Sequence, residues 1–153
     1  DLEASASLQA ANDSIVPTVR VVPGASVFWV RFGGSAAGEG EVTGGVDGRV
    51  GGRCYIRWVL GADEDRATDG LARLAAAGRE RLTADARLLG AFRASGLLVP
   101  VWEVDPAAAP VSFAPAVEAM RVLLDEAIAN TTPLSADERR ARSGLLSRQV
   151  TLR

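Results

Sequence analysis

Two runs of alternating side chains, VFWVRF (27–32) and RCYIRWVL (53–60), constrain this chain more than anything else in it. Both are rich in β-branched and aromatic residues, and both carry the period of two that marks strands. In the first, Phe28, Val30 and Phe32 share one face, and Val27, Trp29 and Arg31 share the other. In the second, Cys54, Ile56, Trp58 and Leu60 form an apolar face opposite Tyr55, Arg57 and Val59. Each strand thus has one apolar side and one side that pairs an aromatic ring with an arginine. The pattern predicts an antiparallel sheet with one covered face. It groups Trp29, Arg31, Tyr55 and Arg57 as a candidate recognition surface on the other, where an arginine of one strand can lie over a ring of its neighbour.

Between the runs lie residues 33–52, nine of them glycine. A phosphate loop would need GxxxxGK[ST], and nothing here matches it. Gly38, Gly40 and Gly44 miss the dinucleotide spacing by one residue. Glu39, Glu41 and Asp47 face Arg49 alone in this stretch, a balance that repels a polyanion. The segment is therefore expected to be a connecting loop.

The chemistry open to the chain is narrow. All 17 basic residues are arginine, with no lysine and no histidine. That excludes a Ser-His-Asp triad, a Cys-His pair, an HExxH zinc site, a Schiff-base lysine and a phosphate-loop lysine. The single cysteine, Cys54, allows no internal disulfide and no cysteine cluster, and its apolar strand face makes it an inert buried thiol. No cofactor is expected. Carboxylate acid–base chemistry, or an oxygen-ligand site for Mg²⁺ or Ca²⁺, stays open.

Along the chain, LEASASLQAAN suggests the end of a helix before Pro17, and TVRVV (18–22) a strand stopped by Pro23-Gly24. GADEDRATDGLARLAAAG predicts a helix with Ala67, Leu71, Leu74 and Ala75 inward, acids at its start and Gly78 at its stop. TADARLLGAFRASG predicts a second helix with Leu88, Leu89 and Phe92 inward. LLVPVWEV is a strand that Pro100 assigns to a sheet edge or a bulge. Residues 105–112 read as an Ala/Pro linker. A helix follows from Pro115 to about Asn130, with a stripe of Val117, Met120, Leu123, Leu124, Ala127 and Ile128. SADE (135–138) is a capping box that opens a last helix. The order implies one α+β domain over 1–153, a mostly antiparallel sheet with helices packed on one face. Arg139, Arg140, Arg142 and Arg148 cluster on the last helix against Asp137 and Glu138, a second candidate surface for RNA, a phosphate or an acidic partner.

RWVLGADEDRATDGLARLAAAG, GAFRASGLLVPVWEV and PLSADERRARSGLLSRQVTLR together resemble an actinobacterial protein family without an assigned activity, some of whose members are labelled preprotein translocase SecA subunit-like. The resemblance covers about residues 54 to 153. It implies that the chain is the C-terminal portion of a longer protein, as does its start at Asp1, and it implies no catalytic residues. A translocase motor needs a phosphate loop with its lysine and an acidic motif for Mg²⁺, neither of which this chain carries.

Function is therefore expected from surfaces: a non-enzymatic, cytoplasmic domain that meets a protein partner, with a homodimer as one form of such contact. A nucleic-acid-binding module is the alternative, using the Trp29/Arg31/Tyr55/Arg57 face or the terminal arginines. A carboxylate- or metal-dependent enzyme comes last. No run of 18 apolar residues and no basic-then-apolar leader occurs in this portion, so no membrane partner is expected.

Overall fold

The computed structural model describes residues 18–32 and 52–147. The opening segment, residues 33–51 and Arg148 lie outside that range. In chain order the elements are strands β1 (Thr18–Arg20), β2 (Val27–Phe32) and β3 (Arg53–Trp58), helix α1 (Glu64–Ala76), and strands β4 (Arg87–Ala94) and β5 (Leu97–Val104). A 3₁₀ turn (Pro110–Phe113) then leads into helices α2 (Ala114–Ala129) and α3 (Ala136–Ser147). The described strands form one sheet in the order β1-β2-β3-β5-β4, antiparallel at every join, with the described helices on one side. This is the expected α+β architecture. No described helix is long and apolar enough to cross a membrane.

Local chemistry explains the helix ends. The Asp63 carboxylate accepts the N–H groups of Asp65 and Arg66 at 3.1 Å each and caps α1. The helix stops at Gly78, whose φ of 72° suits glycine, and Arg79 N–H closes back on Leu74 C=O at 2.9 Å. At α3 the capping box forms in full: Glu138 N–H donates to Ser135 Oγ at 3.1 Å, and Ser135 N–H donates to Glu138 Oε1 at 2.9 Å.

Two expectations for the middle of the chain are corrected. The segment predicted as a second helix, 83–96, contains strand β4 instead. A bulge lies between Leu88 and Gly90, so Leu88 and Ala91 both face the core although they are three residues apart. On the other side Leu89 and Phe92 have the same spacing. An added residue thus turns a period of two into a spacing that imitates a helix. The hairpin into β5 turns on Ser95 (φ 53°) and Gly96 (φ 80°), the two left-handed residues of a tight two-residue loop. The second correction concerns β5, which is an interior strand between β3 and β4 and not an edge. Pro100 is tolerated because the β3 ladder covers only Val101 to Val104. Leu60 N–H meets Leu98 C=O at 3.0 Å two residues earlier, so the missing N–H of Pro100 falls in a gap of the ladder.

The core lies between sheet and helices. Trp29, Ile56, Trp58, Leu98, Trp102 and Val104 supply the sheet side, and Leu71, Val117, Met120, Leu124 and Leu145 the helix side. Trp102 is fully buried, and its indole N–H donates to Glu80 C=O at 2.7 Å. Helices α1 and α2 meet at Gly70, where a Cβ would stand 2.6 Å from Ile128 Cγ1 and 3.0 Å from Ile128 N. Arg66 and Arg73 of α1 donate to Ile128 and Ala127 carbonyls at 3.0 and 3.3 Å, satisfying groups that the C-terminal turn of α2 leaves open.

Candidate functional site

The β2–β3 register decides which side chains share a surface. Trp29 pairs with Ile56, Arg31 with Cys54, Val30 with Tyr55 and Phe28 with Arg57. Paired residues lie on the same face. Trp29 and Arg31 therefore point to the helix-packed side, whereas Tyr55 and Arg57 point to the opposite side with Phe28, Val30 and Phe32, a side free of helices among the described residues. The structure does not bring Trp29 and Arg31 together with Tyr55 and Arg57. Both sides of β2 are apolar, so alternation alone could not orient it; the pairing did.

The helix-free face carries a second apolar cluster. Val30, Tyr55 and Val101 are 1 %, 8 % and 0 % exposed, with Phe32, Leu89 and Phe92 packed against them. Phe32 meets Tyr55 edge-on at 5.8 Å between ring centroids. Arg20 lies over Phe28, 5.0 Å from the ring centroid, and its guanidinium donates to Ala25 C=O at 2.7 Å. At the β5 side Glu103 accepts from Arg53 at 3.4 Å and from Arg87 at 3.3 Å.

Arg57 stands between Phe28 and Val101 in this face. Its Nε is buried with no acceptor, and burial lowers the guanidinium pKa from its ordinary value. Among the described residues the face thus holds Arg20, Arg53, Arg57 and Arg87 against Glu103 alone. Of these, only Tyr55 and Arg57 are singled out by alternation in the sequence. Phe28, Phe32, Phe92 and Val101 escape it because they look like ordinary core. The signal that finds them is the unbroken apolar run LLVPV of β5, which marks a strand covered on both sides.

The arginines of α3 are largely engaged within the domain. Arg142 reaches across to α1, holding Asp69 at 2.8 Å and Asp65 at 3.2 Å. Arg140 pairs with Asp137 one turn away, and Arg139 donates to Leu134 C=O at 2.8 Å. Arg148 lies outside the described residues.

An open cleft with several acids lies where β4 begins and β5 ends. It measures about 540 Å³ and is lined by Arg81, Asp85, Arg87, Glu103 and Asp105 among others. Both Glu103 oxygens are taken by arginine, and Asp105 accepts the Ala107 N–H at 2.9 Å. Among the described residues no group of three or more His, Cys, Asp or Glu side chains could hold a metal ion. Cys54 is buried, and burial first of all raises its thiol pKa above the ordinary 9.0, with Arg31 acting in the opposite sense.

A model of a family of unknown function, DUF5926, matches residues 40–153, well over half of the chain. The chain belongs to that family. The DUF5926 match runs from within the glycine-rich segment through β3, β4, β5 and the three described helices, and it includes Arg53, Tyr55, Arg57, Arg87 and Val101. β1 and β2, with Phe28, Trp29 and Arg31, precede it. No curated protein and no solved structure matches the chain.

Proposed function

We propose that this DUF5926 chain is a non-enzymatic binding domain whose helix-free sheet face receives a protein partner carrying acidic side chains around an apolar contact. What supports this reading above all is Arg57, a half-buried guanidinium whose Nε has no acceptor and which has no carboxylate partner among the described residues, set beside the Val30/Tyr55/Val101 cluster. A fixed cation in an apolar surface favours a partner that delivers a carboxylate together with apolar side chains. Arg20, Arg53 and Arg87 extend the positive field around it and would steer an acidic partner inward.

The same charge bears on the other occupants. A symmetric homodimer through this face would set four arginines against four, with one glutamate on each side to offset them. Single-stranded RNA would need free rings to stack on, whereas Phe28 is covered by Arg20 and Phe32 is turned edge-on against Tyr55. A cytoplasmic setting suits the single free thiol of Cys54. An actinobacterial source suits the arginine-only basic composition. If the SecA-like wording attached to similar proteins reflects a tie to secretion, this chain would serve it by docking, since it has no lysine for a phosphate loop.

Peptide display selected on the full chain tests the proposal. We expect enrichment of peptides in which Asp or Glu sits next to Leu, Ile or Phe, with backbone amide shifts on binding centred on Phe92 and Val101. Enrichment of peptides without acids, or shifts confined to α2 and α3, would overturn it. So would tighter, salt-dependent binding of labelled single-stranded RNA, or a dimer in sedimentation that Arg57→Met dissociates.

A further inference from the structure

We infer that the Trp29–Arg31 corner of β2, on the side of the sheet away from the docking face, is a seat for a small oxyanion, a carboxylate or a phosphate. Trp29 and Arg31 alternate on β2, so both side chains leave its helix-packed face. The guanidinium carbon of Arg31 lies 5.3 Å from the centroid of the Trp29 ring. Trp29 is 4 % exposed, and its indole N–H is buried with no acceptor. Nη1 of the same Arg31 guanidinium is also buried with none.

Among the described residues only Arg57 Nε and Glu80 Oε1 share this lack of a partner, and neither has a second unpartnered donor near it in the chain. The Trp102 indole donates to Glu80 C=O, and Arg142 holds two carboxylates. Buried donors without acceptors are uncommon because each bears its whole desolvation penalty. Here two stand together, and one is cationic. Among the described residues nothing nearby fills the need. Cys54, opposite Arg31 in the ladder, is kept a neutral thiol by burial, and Asp105, whose Oδ1 accepts from Ala107 N–H, makes no hydrogen bond to either donor. A ligand for two donors must bring acceptors, and a positive charge beside one of them selects an anion. A guanidinium packed on an indole keeps its N–H edge free for in-plane bonds to oxygen. Arg31 is only half-buried, which leaves an approach for the anion from its open side.

The chain has three tryptophans and so three indole N–H resonances, with Trp29→Phe assigning the one that matters. The full chain is titrated with succinate in one arm and inorganic phosphate in the other, and the indole region is followed by ¹H–¹⁵N NMR. We expect the Trp29 signal to move downfield and to saturate with one of the two anions while the Trp102 signal stays in place. The arm that saturates names the oxyanion class. Arg31→Met should weaken the anion by about tenfold or more, the effect of losing one charge-assisted hydrogen bond. Arg31→Lys, which keeps the charge without the fork, should fall between. The Trp102 signal serves as the fold reporter for both variants. A Trp29 indole that responds to neither anion, or whose response survives both Arg31 variants undiminished, would overturn the inference.

Discussion

The two faces of this sheet are made by the same strands and come to different ends. On the helix-packed face, Ile56 and Trp102 sit under three helices in a continuous core that reaches from Val21 to Leu145. On the helix-free face, Tyr55 and Val101, their immediate neighbours in β3 and β5, form a small cluster with Val30. Charges on the two sides differ as well. The helix-packed side uses Arg142 to bridge Asp65 and Asp69 and Arg93 to hold Glu64 at 3.0 Å, so these cations serve as ties between elements, with Arg31 at the β2 corner the exception. The helix-free side keeps Arg57 buried at Nε and unmatched. Apolar burial with satisfied charge builds stability; apolar burial around an unsatisfied charge leaves a demand that a partner can meet.

Substitutions on the helix-packed face should act on stability. The largest effect is expected for Trp102→Ala, which empties the centre of the core and orphans Glu80 C=O. It should cost about 4 kcal/mol in urea unfolding. Gly70→Ala drives a methyl into Ile128 at the α1–α2 crossing and should cost about 2 kcal/mol. Asp69→Ala removes the nearer partner of Arg142. Because the Asp69 side chain is 35 % exposed, the loss should be about 1 kcal/mol and should shrink in high salt.

On the helix-free face the expected pattern reverses. Arg57→Met replaces a desolvated cation by an apolar chain of similar length. It should leave stability within about 0.5 kcal/mol of the parent, or raise it, while binding of acidic peptides is lost. A large loss of stability would erase the contrast between the faces. The smallest effect concerns pH. Burial raises the Cys54 thiol pKa above its ordinary 9.0, so the unfolded chain ionises first. The contribution of the neutral thiol is complete below about pH 9 and falls away as pH rises through the higher folded value. Unfolding at pH 8 and pH 10 should show this decline in the parent and not in Cys54→Ala.

Much of this was legible in the residues. The Asp63 cap, the Ser135/Glu138 box, Pro115 at the start of α2 and the buried Cys54 all follow from local chemistry, and local chemistry is visible in a sequence. What was hidden depends on pairing. The bulge at Leu88–Gly90 disguised β4 as a helix. The orientation of β2 was undetermined because Phe28/Val30/Phe32 and Val27/Trp29 are equally apolar, and only the register Val30↔Tyr55 separates Trp29 and Arg31 from Tyr55 and Arg57. The engagement of Arg142 with Asp65 and Asp69 joins residues more than seventy positions apart, which no local pattern reports.

The measurement that bears most directly on the docking face is calorimetric binding of one display-selected acidic peptide to the parent chain and to Arg57→Met. If Arg57 is the half-buried cation that the partner answers, removing it costs about 2 kcal/mol or more of affinity, a weakening of about thirtyfold. The urea midpoint should stay where it was. Equal affinity for the two proteins, with both folded, would contradict the account.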